Sequence, residues 1–205
     1  MTGTYGAVLC DIDGVLRHWP ASDELERAHG LALGTIGAAA FAPARLMPAI
    51  TGEVSDEEWR AGVAEDLAQV CGTVERARAA VTAWSELVPV VDHEVVALLA
   101  RVRRVVPLAL VSNATSRLET DLVRQGLADL PHTVVNTSRI GVAKPDPQVY
   151  RIAAGRVRVP VDRCLFVDDT EPNVEAARAA GMTALHYRRP EDLRAALYPL
   201  LPDTL

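Results

Sequence analysis

Apolar and polar positions follow two different rhythms along this chain. Near the start, Ala7-Val8-Leu9 is a short apolar run that predicts a buried strand, and it leads into Asp11-Ile12-Asp13-Gly14. From 17 to 87 the apolar positions recur at helical spacing, with no strand-like alternation. Asp23 and Glu26 have the spacing of a capping box for a helix ending near Gly30. Ser55 and Glu58 open a longer helix, through about Val70, with Gly72 as its stop. Thr73 to Leu87 reads as a further helix closed by Pro89, and 31–50 as helix in pieces within an Ala- and Gly-rich stretch.

Beyond 92, strands and helices alternate. A helix over about 93–104 leads to the apolar strand Pro107–Val111, which ends in Ser112-Asn113. Ser116 and Glu119 are placed to cap the next helix, which Gly126 ends. Thr133–Val135 is a short strand, and Asp146 caps a helix that begins at Pro147. Cys164–Val167 is a buried strand ending in Asp168-Asp169, followed by a helix over Glu171–Ala180 with Gly181 beyond it. Thr183–Tyr187 is a last strand, and a helix from about Glu191 closes the chain. This alternation predicts an α/β fold: a Rossmann-like parallel sheet with helices on both faces, built from 1–16 and 88–205. The stretch 17–87 is then an inserted all-helical domain. Ligands of such sheets bind beyond the carboxyl ends of the strands.

Composition narrows the function classes. In 205 residues, 49% hydrophobic content is ample for a core, and Ala, Val and Leu rather than aromatics supply it, as helices on a buried parallel sheet require. A net charge of −6 and the lack of a basic stripe argue against nucleic acid as a partner. No apolar run approaches membrane-spanning length and none resembles a signal peptide. Cys10, Cys71 and Cys164 have neither metal nor disulfide spacing and suit a reducing cytosol, so a cytoplasmic location is expected. The helical insertion offers no evident dimer seam. One bias is sharper: 20 arginines stand against a single lysine, Lys144. A lone lysine against that background is either incidental or marks a place where a compact ammonium fits and a planar guanidinium does not.

Three strands end in polar residues, Asp11-Ile12-Asp13, Ser112-Asn113 and Asp168-Asp169, and Lys144 precedes a capped helix. A parallel sheet gathers all four groups at one edge. This arrangement resembles the haloacid dehalogenase (HAD) superfamily from the first strand to the last. Asp11-Ile12-Asp13-Gly14-Val15 is similar to its first motif, Ser112 to its second, Lys144 to its third and Asp168-Asp169 to its fourth. The stretch Phe166 to Val174 is the most specific match, and the insertion looks like a helical cap of the C1 type.

The resemblance implies a hydrolase that cleaves a small phosphorylated metabolite through an aspartyl-phosphate, with Mg²⁺ as cofactor. Asp11 is then the nucleophile and a metal ligand. Asp13 is the general acid and base, its family counterpart giving a backbone carbonyl to the metal. Four clustered acids, Asp11, Asp13, Asp168 and Asp169, need a hard divalent cation, and oxygen donors suit Mg²⁺. Asp169 is expected as the direct ligand, with Asp168 acting through water or by orienting Lys144. Ser112 would donate to a phosphoryl oxygen and Lys144 would neutralise it. Asn113, Arg17, His18 and Trp19 are expected at the substrate, at the mouth of the site. Arg45 and Arg60 are further candidates, while Trp59 reads as cap core and Asn173 as a plain helix-surface residue. A sugar-phosphate mutase and a non-catalytic HAD-like binding protein are the alternative readings.

Overall fold

The computed structural model describes residues 5–201. Strand β1 (Ala7–Cys10) is fully buried and lies at the centre of a five-stranded parallel sheet. The chain then forms a two-residue strand β2 (Arg17–His18) and five helices: α1 (Asp23–Ala28), α2 (Thr35–Ala40), α3 (Pro43–Ile50), α4 (Asp56–Cys71) and α5 (Val74–Ser85). It returns through β3 (Val90–Val91), which pairs antiparallel with β2. Asp92 N–H also donates to Leu16 O at 2.8 Å, so the two ends of the helical insertion are stapled together. This small pair is absent from the sequence reading because two residues cannot show an alternation.

Helix α6 (His93–Val102), β4 (Leu108–Ser112), α7 (Leu118–Arg124), β5 (Thr133–Asn136) and a single turn α8 (Thr137–Ile140) follow. Then come α9 (Pro147–Val157), β6 (Cys164–Asp168), α10 (Glu171–Ala179), β7 (Thr183–His186) and α11 (Pro190–Leu197). The strand order is β5-β4-β1-β6-β7, and every neighbouring pair is parallel. The expected α/β class and the layering on both faces are therefore present.

The two-residue period of the strands divides the core. Val8 and Cys10 point to the face covered by α6 and α11, where Val95, Leu99, Leu193 and Leu197 pack. Ala7 and Leu9 point to the opposite face, against Val149, Tyr150, Ala153 and Ala177 of α9 and α10. The five helices of the insertion have a third core of their own, in which Ile36, Trp59, Val63, Leu67, Ala77 and Val81 are buried. Among the described residues no helix is long and apolar enough to cross a membrane.

Local signals held where the side chain had no competing partner. Ser55 and Glu58 form the full capping box of α4, Gly72 ends that helix at φ 84°, and Asp146 caps α9 ahead of Pro147. Two expected boxes are replaced by longer-range contacts. Glu26 is fully buried and accepts from the N–H groups of Gly34 (2.6 Å) and Ile36 (2.8 Å), so it fixes the start of α2 rather than of α1. Ser116 accepts instead from Asp56 N–H at 3.0 Å, and Glu119 from the Asn136 amide, so α7 begins without a side-chain cap.

Candidate active site

The register of the sheet builds the site. Cys10 stands opposite Leu110 of β4 and Val167 of β6, so Asp11 and Asp168, one residue on, and Ser112, two residues on, come to the same edge of the sheet. Asp11 N–H still donates to Val167 O at 2.8 Å, which holds the first and last motifs side by side. Beyond the strand the backbone turns at Gly14, with φ 84°. A Cβ there would lie 2.0 Å from Asp169 Oδ2, so only glycine lets the loop pass the carboxylate.

Asp11, Asp168 and Asp169 offer oxygens that all lie within 4.8 Å of one another. Asp11 and Asp168 are buried and Asp169 is exposed. The only lysine joins the two buried acids: Lys144 Nζ lies 2.9 Å from Asp11 Oδ1 and donates to Asp168 Oδ2 at 2.7 Å and Val111 O at 3.1 Å. Asp168 receives three further contacts, from Thr170 N–H at 2.8 Å and from the Asn173 amide at 3.1 and 3.2 Å. Asn173 is thus a buried partner of Asp168, contrary to the expected surface role. Tyr150 fixes it from below by donating to Asn173 O at 2.8 Å.

The electrostatics follow from this packing. Burial pushes the Asp11 carboxyl up to about 7; Lys144 pulls it down and Asp168 pushes it further up. Burial pulls Lys144 down, but Asp11 and Asp168 together outweigh it and hold the ammonium above the ordinary lysine value. One cation against three carboxylates leaves the edge negative. The all-oxygen donor set and the excess of carboxylates over the single ammonium both fit a hard divalent ion between Asp11, Asp168 and Asp169.

Asp13 is placed differently from the expectation of four clustered acids. Its carboxylate lies outside the trio and accepts from Arg17 Nε at 2.8 Å, Arg17 Nη2 at 3.2 Å and Trp19 Nε1 at 2.7 Å. The i and i+2 positions diverge because the chain leaves strand geometry after Cys10. Two cavities, each of about 550 Å³, meet at this residue. One is lined by Asp11, Gly14, Ser112, Lys144, Asp169 and Asn173; the other is a cleft beneath the helical insertion. Asp13 and Asn113 line both.

The remaining candidates separate cleanly. Asn113 lines both cavities, and its side chain donates to Lys144 O at 2.9 Å and accepts from Lys144 N–H at 2.8 Å, so its amide also clamps the lysine's backbone. Arg17 is buried, held by Asp13 and by Gln125 Oε1 at 3.0 Å, and lines the cleft with Trp19 and Arg60. His18 alternates to the outside of β2 and lines neither cavity. Arg45 pairs with Asp66 at 2.6 Å and also lies outside both. Trp59 is in the core of the insertion, as expected, and its indole edge also reaches the cleft. Sequence reasoning missed Asp56, Thr115 and Trp84. Asp56 opens α4, accepts from Thr115 Oγ1 at 2.7 Å and pairs with Arg60 at 2.6 Å, tying the insertion to the loop after β4. The Asp56–Arg60 pair is local to α4, but the link from Asp56 to Thr115 and the contact of Trp84 with Trp59 join segments far apart in the chain, which no local pattern marks.

A family model for haloacid dehalogenase-like hydrolases matches residues 5–181. The chain belongs to that family. As a HAD-like hydrolase it is 47% identical over 58 residues to a phosphatase of Mycobacterium tuberculosis, a match covering 28% of this chain and 27% of the relative. It is 34% identical over 99 residues to a phosphoserine phosphatase of Thermus thermophilus, covering 46% of this chain and 40% of that protein. The chain therefore matches well under half the length of these relatives. A HAD family enzyme of Bacteroides thetaiotaomicron, solved with magnesium and inorganic phosphate, superposes with a TM-score of 0.70 at 20% identity. That match covers 91% of this chain and 95% of the other and shows the shared fold.

Proposed function

We propose that this HAD-like hydrolase is a magnesium-dependent phosphatase acting on a small phosphorylated metabolite. The observation that carries this reading is the trio Asp11, Asp168 and Asp169 within 4.8 Å, with Lys144 bridging its two buried members at the mouth of a cavity. The named phosphatases among its relatives support the same reaction class.

Asp11, Asp169 and the Asp13 backbone carbonyl would hold the ion, with Asp168 fixing Lys144. Bound there, magnesium supplies positive charge that offsets the carboxylates and the approaching phosphoryl group. An Asp11 carboxylate oxygen attacks phosphorus in line as the bond to the leaving oxygen breaks, giving an aspartyl-phosphate and an alcohol. Asp13 lines both cavities, so it stands where an ester oxygen bridging a phosphoryl group in one and an alcohol in the other would lie. Once Arg17 and Trp19 release its oxygens, its carboxyl would deliver the proton to the leaving oxygen and then take one from the water that attacks phosphorus and regenerates Asp11. Ser112 and Lys144 line the cavity where phosphoryl oxygens collect charge.

The test is phosphate release from an aryl phosphate with magnesium and with chelator, for the wild type and Asp11→Asn. Release that needs both the metal and Asp11 is expected. Turnover that persists in Asp11→Asn removes the nucleophile assignment, and isomerisation of a sugar phosphate without release would make the protein a mutase.

A further inference from the structure

The cleft beneath the insertion speaks to the leaving group. Trp19, Phe41, Leu46, Trp59, Trp84 and Leu118 supply its apolar walls, and it opens onto the phosphoryl cavity at Asp13 and Asn113. Phe41 and Trp59 both meet Trp84 edge-on, with ring centroids 6.0 and 5.8 Å apart. Phe41 and Trp19 are about half exposed (56% and 45%), and the Arg17 guanidinium lies 5.3 Å from the Trp19 ring centroid. The cleft also contains three arginines, yet each has a carboxylate of the same cleft against it. Arg17 pairs with Asp13 at 2.8 Å, Arg60 with Asp56 at 2.6 Å and Arg117 with Asp121 at 2.9 Å. An anionic group entering here would lose its hydration and find every guanidinium already neutralised.

Resting on the phosphatase reading, we propose that the substrate is a phosphomonoester of an uncharged alcohol with a flat apolar face, an aromatic alcohol above all. The phosphoryl group takes the acidic edge and the alcohol lies among Trp19, Phe41, Trp59 and Trp84. Esters that carry a second anion, such as a carboxylate or another phosphate, are disfavoured by the paired arginines. Aromatic rings gain most from such a site because they stack as well as bury area, and the cleft volume of about 550 Å³ suits one small molecule. Beyond its pair with Asp56, Arg60 keeps one donor free, which the oxygen of a neutral ligand can meet. Its guanidinium lies 5.6 Å from the centroids of both Trp59 and Trp84, and its Nη1 is the one buried side-chain polar atom without a hydrogen-bond partner among the described residues.

The test compares kcat/KM for benzyl phosphate, phosphoglycolate and a sugar bisphosphate with magnesium present. Benzyl phosphate is expected to lead each anionic ester by about tenfold or more, the scale set by desolvating an unpaired charge. Phe41→Ala should shrink that lead several-fold, and Asp56→Asn, which frees the Arg60 charge, should shrink it by raising the rate on phosphoglycolate. Anionic esters that match or beat benzyl phosphate, in a protein whose turnover requires Asp11, overturn the proposal while leaving the phosphatase reading intact. All three tryptophans of the chain line the cleft, which gives a readout independent of turnover. Benzyl alcohol should change the intrinsic fluorescence saturably and glycolate should not. If no ester is hydrolysed, the phosphatase reading fails and this titration decides the cleft: no saturable response to benzyl alcohol overturns the proposal.

Discussion

The two cavities that meet at Asp13 solve opposite electrostatic problems. At the sheet edge three carboxylates share one ammonium, and Asp11 is pushed up to about 7 by burial, so the charges are left out of balance. In the cleft each arginine has its own aspartate and the walls are aromatic and aliphatic. Imbalance suits a place where a cation and a phosphoryl group must be drawn in and charge must move. Balance suits a place that only has to fit a neutral body. On the proposed reading one fold separates chemistry from choice: the first is set at strand ends, the second by helices of the insertion together with the segment from Asn113 to Asp121.

This contrast makes substitutions at the edge severe and those in the insertion graded. The largest effect is expected for Asp11→Asn, which should lower kcat by about 10⁴-fold or more, as loss of a covalent nucleophile does. Its thermal stability should not fall, because the change removes a buried charge that the packing already penalises; a melting curve in chelator checks this. Next is Lys144→Met, which leaves Asp11 and Asp168 buried without their shared cation. It should cost about 3–5 kcal/mol in the metal-free protein, a fall in Tm of roughly 10 °C, and magnesium should restore part of it. Gly14→Ala drives a Cβ against Asp169 at a positive φ. We expect magnesium affinity, read from the metal dependence of kcat, to weaken by about 10- to 100-fold with a stability loss of about 1–3 kcal/mol. Smallest is Arg45→Ala, which breaks an exposed pair with Asp66 outside both cavities. It should change stability by less than about 1 kcal/mol and kcat/KM not measurably. An effect of Arg45→Ala as large as that of Gly14→Ala would show that the insertion's surface is not separable from the edge.

Much of the edge was legible because its residues sit where strands stop. Apolar runs locate Cys10, Val111 and Val167, and parallel pairing then brings the residues after them to one side of the sheet. The solitary lysine added a second, compositional signal. Asp13 shows where this reasoning stops. Spacing put its carboxylate beside that of Asp11, but the loop leaves strand geometry and Arg17 with Trp19 take both its oxygens. Ser116 and Glu119 fail in the same way, their side chains taken by Asp56 and Asn136, residues 60 and 17 positions away.

Sequence alone located the layers, the strand ends, Asp11, Asp168, Asp169 and Lys144 at that edge, and the helices between β2 and β3, because periodicity and caps are local and a period of two or 3.6 allows few alternatives. Tertiary structure alone decided that Asn113 clamps Lys144, that Asn173 supports Asp168, that His18 faces away, and that three arginines and three tryptophans close one cleft. Those facts depend on side chains of distant segments reaching the same point, and no short-range pattern carries such a distance.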